Sequence, residues 1–177
     1  SSNGTVIAFE GGGNLTSPVA LGYLNVYVRN LTTGQTSLAS AFGPWGTGVE
    51  YATSRNPSVS ANGVYVDFES NGTQPNGWNQ LYRFSVQGGL ESLTTECDPF
   101  CSHNTQPSVS ADGRYVAFRR SNPNGDYLIH VLDTQTGISE IVSVAPNGSP
   151  AYGQSSWPQI SNDGRYVAFI SGAPGLP

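Results

Sequence analysis

Lysine is absent from the 177 residues, and all seven positive charges are arginines. Against twelve acidic residues this gives a formal net charge of -5, so the basic footprint that nucleic acid requires is missing. Methionine is absent too, even at the first position, which leads to the expectation of a chain cut from a longer precursor. No run approaches the ~18 apolar residues of a membrane-spanning helix, and no segment keeps a helical period. The Gly-x-Ser-x-Gly elbow, the His-Glu-x-x-His pair and a phosphate-binding glycine loop are all missing; Gly11-Gly12-Gly13 follows a strand pattern but opens no helix. The chain is therefore expected to be no enzyme and to carry no cofactor.

Cysteine is scarce: Cys97 and Cys101 stand alone in Cys-Asp-Pro-Phe-Cys. An even count in an exported protein reads as a disulfide closing a small loop. The alternative is a metal site with Asp98 and His103, which is disfavoured because zinc usually draws a second ligand pair from elsewhere. The spacing is too long for a thioredoxin-type redox motif. A lysine-free surface rich in Ser, Thr, Asn and Gly fits an extracellular or cell-surface protein, with the periplasm as a further possibility.

What is present is order. Glycine (22) and proline (12) are frequent and aromatics make up 11 %, a turn-rich all-β composition. One stretch recurs: Asn56 to Phe68 (NPSVSANGVYVDF), Gln106 to Phe118 (QPSVSADGRYVAF) and Trp157 to Phe169 (WPQISNDGRYVAF), with a clipped copy at Ser2 to Phe9. Such a period marks a repeat architecture. Within each copy, a proline-led strand meets an Asn-Gly or Asp-Gly turn and a second strand, the strongest short-range hairpin signal. Third strands are expected at Leu24 to Arg29, Gln80 to Val86 and Leu128 to Leu132, and fourth strands at Gln35 to Leu38, Leu90 to Thr94 and Ile138 to Val142. The unit is a four-stranded meander.

This repeat resembles the TolB-type, WD40-like propeller repeat, whose signature couples a proline-led strand to Ser-x-Asp-Gly and a second strand ending in Ala-Phe. Residues 106–118 and 157–169 match it closely. The copy at 56 departs at Asn62 and Asp67. The sialidase Asp-box is a different pattern, since it places a residue between Asp and Gly. Dipeptidyl-peptidase propellers carry a similar repeat, but their catalysis resides in a separate hydrolase domain. The resemblance implies an all-β fold, a β-propeller of four-stranded antiparallel blades arranged around a channel. It divides the chain into a partial blade at 1–40, blades at 56–94 and 106–144, and the start of another at 157–177.

Three blades and a fraction do not close a ring by themselves. The chain is expected to be a segment of a longer propeller or a subunit completed by a neighbour, with Arg165, Tyr166, Val167, Ala168, Phe169, Ile170 and Ser171 as the strand that pairs. Phe9, Phe68, Phe118 and Phe169 are expected in the core. Asp67, in place of a small residue, is expected to anchor a buried donor such as an arginine, in preference to acting as a catalytic acid.

Meander geometry puts the longer connections at one end, and loops on rigid scaffolds are where binding residues collect. That end carries Trp45, Tyr51, Trp78, Phe100 and Tyr152, candidates for a protein partner or for stacking on sugars; Trp45 and Trp78 could equally cap blade edges. Glu50, Glu96 and Asp98 lie there without a recognisable catalytic spacing. His103 and His130 read as ordinary loop and core histidines, and Asn122 to Asp126 as a solvated hairpin lacking the distal ligand of an EF-hand. Sequons stand at Asn3, Asn14, Asn30, Asn71 and Asn147, of which the loop residues Asn14, Asn71 and Asn147 are the best glycan acceptors. The leading functional expectation is an exported module for protein–protein contact, self-assembling into a surface structure or fibre through its incomplete blades and edge strands, with copies of itself or further blades of the same polypeptide as partner. A glycan-binding propeller is the alternative, and the propeller part of a secreted hydrolase a weaker one.

Overall fold

A computed structural model describes residues 1–12, 15–16, 24–42, 52–72, 78–94 and 102–176. Among these are thirteen strands and no helix, arranged as antiparallel sheets. The first sheet holds β1 (Val6–Gly11), β2 (Asn25–Asn30) and β3 (Thr36–Leu38). The second holds β4 (Ser54–Val59), β5 (Tyr65–Ser70), β6 (Gln80–Ser85) and β7 (Gly89–Ser92). The third holds β8 (Asn104–Val109), β9 (Tyr115–Ser121), β10 (Tyr127–Asp133) and β11 (Ile138–Ile141). A hairpin of β12 (Ser155–Ile160) and β13 (Val167–Ser171) follows. Strand order follows chain order in every sheet, so each is a meander blade or part of one.

The turn between the first two strands is built by side chains. Ser60 Oγ donates to Asn62 Oδ1 at 2.7 Å, accepts the amide of Tyr65 at 3.0 Å, and Asn62 Oδ1 takes the amide of Val64 at 3.0 Å. Ser110 with Asp112 and Ser161 with Asp163 repeat this set. Asn and Asp serve equally because each offers one oxygen two residues ahead of the amide it binds. The same turn also opens the chain: Ser1 Oγ donates to Asn3 Oδ1 at 2.8 Å and accepts the amide of Val6 at 3.0 Å. The first copy therefore reaches back to Ser1, one residue earlier than the sequence motif indicates.

Each proline-led strand carries a bulge. Register slips between Arg55 and Ser58, Thr105 and Ser108, and Ser156 and Gln159. The residue before proline there has φ of 52° (Asn56), 56° (Gln106) or 53° (Trp157), left-handed values uncommon outside glycine. The bulge is where an extra residue is accommodated and where proline, lacking an N–H, costs no ladder bond.

Alternation along the second strand of each blade sends one face to each neighbour. Val66 and Phe68 pack with Val26, Val28, Ala39, Phe42 and Tyr82 between the first two blades. Val116 and Phe118 pack with Leu81 and Leu132 between the second and third. Phe68 and Phe118 are fully buried. Phe9 and Phe169 are only half-buried, which corrects the expectation of four equal core phenylalanines. Both stand on the first and last sheets of the row, which have a packed neighbour on one side only among the described residues.

Three turn carboxylates tie this geometry to pH. Hydrogen bonds from the Arg114 amide to Asp112, from the Arg114 guanidinium to Asp133 and from Ser161 to Asp163 hold all three below the ordinary 3.8. A lowered folded-state value gives stability that is present above 3.8 and is lost as pH falls through the folded value. Thermal midpoints should therefore fall on acidification below about pH 4. In Asp112→Asn with Asp163→Asn that slope should become shallower while the turns persist, because Asn62 already makes the same turn. An unchanged slope would refute the assignment.

Candidate functional site

The loop-end residues separate into two groups. Trp45, Tyr51, Phe100, Cys97, Cys101 and Asn14, with Glu50, Glu96 and Asp98, lie outside the described residues. Trp78 is half-buried with its ring 4.2 Å from that of His103, at the junction of the second and third blades. Tyr152 is 55 % exposed and lines a cleft of about 350 Å³ with Arg120, Asn122 and His130. Asn71 Oδ1 accepts the amide of Thr53 at 2.8 Å in a half-buried setting, whereas Asn147 is exposed at a turn tip.

The histidines have structural surroundings. His103 Nδ1 accepts the amide of Asn79 at 3.2 Å; burial, then the charge of Arg119, pushes its pKa down. His130 is pushed to about 4 by burial and by Arg120, and its ring packs 5.5 Å from Phe118. Among the described residues no three His, Cys, Asp or Glu side chains form a metal-sized cluster. In the Asn122–Asp126 turn, Asn122 Oδ1 is occupied by the amides of Asn124 and Asp126, both at 2.9 Å.

Asp67 is fully buried and grips Arg83 with both oxygens, Nε to Oδ1 at 2.7 Å and Nη2 to Oδ2 at 2.8 Å. Burial pushes the carboxyl above its ordinary value, against the pull of the guanidinium. Arg83 also lies 4.5 Å over the Tyr65 ring.

The junctions between blades repeat a small set of contacts. First, the amide of the bulged residue before proline is accepted by a carboxylate of the preceding blade: Asn56 by Glu10 Oε1 at 2.7 Å, Gln106 by Glu69 Oε2 at 2.6 Å. Second, the serine after proline accepts an amide of the next blade: Ser58 Oγ from Val109 at 3.1 Å, Ser108 Oγ from Ile160 at 3.0 Å. Third, successive turns are stitched by backbone bonds, Ser2 N to Ala61 O, Asn62 N to Ala111 O and Ala111 N to Asn162 O. Fourth, Gly63, Gly113 and Gly164, the glycines of the Ser-x-Asn/Asp-Gly turns, each sit on a side chain of the blade before. A side-chain carbon at Gly63 would stand 3.0 Å from Val6 Cγ2, and at Gly113 or Gly164 it would overlap the ring of Tyr65 or Tyr115.

The pattern breaks at the third blade. Arg119 replaces the carboxylate, and Gln106 Oε1 accepts the Trp157 amide at 2.8 Å in its stead. The Arg119 guanidinium carbon lies 3.4 Å from the Tyr127 ring centroid, and its Nε, like Thr105 Oγ1 opposite it, is buried without a partner among the described residues.

Among the described residues, nothing covers the outer face of β12–β13. Tyr166 is 67 % and Ile170 65 % exposed, with Ala168 exposed between them. The equivalent residues Asp67 and Glu69 of β5, and Ala117 of β9, are buried against the following blade. Trp157, 56 % exposed, lines a cleft of about 180 Å³ with Asn56, Gln106 and the three prolines of the repeat. Of the expected pairing strand, Val167 to Ser171 form β13 and bond β12, while Arg165 and Tyr166 precede it.

No protein-family model matches the sequence, and no curated protein matches it. Solved structures match the architecture. A protein assigned as TolB from Agrobacterium tumefaciens superposes with a TM-score of 0.60 at 17% identity, over 97% of this chain and 57% of that one. The fold is that of TolB-like β-propellers. TolB from Acinetobacter baumannii gives 0.55 at 21% identity, over 98% of this chain and 42% of its own. An oligogalacturonate lyase in complex with manganese gives 0.56 at 14% identity, over 98% and 43%. The chain spans about half the length of these structures, and at such identities the likeness is one of fold.

Within this TolB-like frame, sequence reading misses the carboxylate latch and the bulge. Its signal is present: Glu10 and Glu69 each follow the closing phenylalanine of a copy, where Arg119 and Ile170 follow in the other two. The pairing of that position with the residue before the next proline becomes visible only when blades are side by side.

Proposed function

We propose that the chain is a non-enzymatic, exported propeller module for protein–protein contact. The observation that carries this reading is the Tyr166–Ala168–Ile170 stripe, an apolar face on a hydrogen-bonded hairpin whose counterparts in the preceding blades are covered. Exposed aromatic and aliphatic side chains on a rigid frame are what a partner can anchor on at low entropic cost. The acidic balance excludes nucleic acid as that partner, and among the described residues no helix is long and apolar enough to cross a membrane. The extracellular, cell-surface or periplasmic location rests on the lysine-free composition.

A second reading, glycan binding, draws on Tyr152 beside the cleft with Arg120 and Asn122. Two measurements separate them. A photoreactive phenylalanine analogue at Ala168 should yield protein adducts that Ile170→Glu abolishes, and a glycan array should stay blank. Absence of protein adducts, or glycan binding lost in Tyr152→Ala, would reverse the order of the two readings.

A further inference from the structure

We infer that Asn124, in the turn between β9 and β10, is a site of spontaneous covalent modification, where water converts the asparagine to aspartate or isoaspartate through a cyclic imide.

The chemistry favours an asparagine followed by glycine, because a residue without a side chain leaves its amide open to attack on the side chain before it. Asparagine is a thermolabile residue in such a setting. Five Asn–Gly pairs fall among the described residues, at Asn3, Asn62, Asn71, Asn124 and Asn147, while a sixth, Asn76–Gly77, lies outside them.

The attacking nitrogen is held alike in all five. Gly4, Gly63, Gly125 and Gly148 donate their amides to the carbonyl three residues back, and Gly72 donates to Ser70 Oγ at 3.1 Å. The carbon under attack is not held alike. Asn3 Oδ1 accepts Ser1 Oγ and both the amide and the hydroxyl of Thr5. Asn62 Oδ1 accepts Ser60 Oγ and the Val64 amide, Asn147 Oδ1 the amide and hydroxyl of Ser149, and Asn71 Oδ1 the Thr53 amide. Asn124 is exposed, and its side chain makes no hydrogen bond among the described residues.

Exposure does not separate the pairs, since Asn3, Asn62 and Asn147 are exposed as well. The tether does. Closing the imide swings Cγ onto the glycine nitrogen and pulls Oδ1 from its donors, so each bond given up raises the barrier. Asn124 alone of the five starts without that cost. Gly125 has no atom within 4 Å of where a side chain would begin, which leaves room for the ring.

In the first step the Gly125 nitrogen bonds to Asn124 Cγ; the Cγ–Nδ2 bond breaks, and Nδ2 leaves with the amide proton as ammonia. In the second step water opens the ring. Cleavage at Cγ gives aspartate. Cleavage at the main-chain carbonyl gives isoaspartate, which routes the backbone through Cβ and Cγ and lengthens it by one carbon. The turn is knit by Asn122 Oδ1, which takes the amides of Asn124 and Asp126 at 2.9 Å, and by Gln154 Nε2, which donates to Gly125 O at 3.0 Å. Aspartate keeps this turn, whereas the extra carbon of isoaspartate displaces Gly125 from Gln154. Either product sets a new carboxylate on the cleft that Asn124 lines with Arg120, His130 and Tyr152.

Incubation of the folded chain in mildly alkaline buffer, followed by peptide mapping with electron-transfer fragmentation, reads the conversion site by site. Asn124 should convert about fivefold or more faster than Asn3, Asn62, Asn71 and Asn147, the factor that one retained hydrogen bond supplies. In denaturant, where no side chain is held, the five rates should draw together. Ser149→Ala removes one of the two donors on Asn147 Oδ1 and should raise the rate at Asn147 severalfold. Equal rates in the folded chain, a lead for Asn124 that persists undiminished in denaturant, or no response of Asn147 to Ser149→Ala would overturn the assignment.

Discussion

Replacing Asp67 with alanine should destabilise the protein by about 3–5 kcal/mol, the cost of leaving a buried charge without its counter-charge. Arg83 is only 4 % exposed, and its two contacts with Asp67, at 2.7 and 2.8 Å, form a bidentate fork. Removing the carboxylate leaves the guanidinium with the Tyr65 face and with Glu91, its cross-strand neighbour on β7, which is exposed to water and screened. The thermal midpoint should fall on the order of 10 °C for a chain of this size. The double variant Asp67→Ala with Arg83→Leu should recover most of the loss, because an apolar pair of similar volume removes both desolvation costs. A loss below about 1 kcal/mol in the single variant would mean that the pair is solvated. The cycle also decides the role of Asp67. Its oxygens are both taken and its surface is closed, which makes it a brace between β5 and β6.

That brace was half legible in the sequence. Asp67 stood out as a carboxylate where the other copies have alanine, and an arginine was the expected kind of donor. Arg83 itself could not be named, because the pairing of β5 with β6 depends on the length of the 71–79 connection, which no motif fixes. The register supplies it: Asp67 lies opposite Arg83, while in the third blade Ala117 lies opposite Val131. The blade fold was legible because its determinants are local: a serine, an Asn or Asp and a glycine within four residues, then alternating apolar residues. The bulged residues before proline were not, since Asn56, Gln106 and Trp157 share no chemistry and only their amides are used. The outer face was legible as a spare strand at 165–171 but not as an apolar surface, because exposure depends on which blade lies alongside.

Gly113→Ala should cost roughly 2–5 kcal/mol, the sum of two effects that can be measured apart. The backbone there has φ of 84°, which a side chain resists by about 1–2 kcal/mol. The added carbon would also overlap the Tyr65 ring of the preceding blade, an overpacking worth about 1–3 kcal/mol where neither blade can yield. Gly125 shares the φ of 84° but has no atom within 4 Å of where its side chain would begin, so Gly125→Ala should show the backbone cost alone. The difference between the two is the clash. Combining Gly113→Ala with Tyr65→Ala should abolish that difference while forfeiting the ring over Arg83, and a double-mutant cycle separates the terms. Equal losses at positions 113 and 125 would mean that the blades move apart freely. The same reasoning extends to Gly4. No described atom lies within 4 Å of where its side chain would begin, so Gly4→Ala should cost no more than Gly125→Ala.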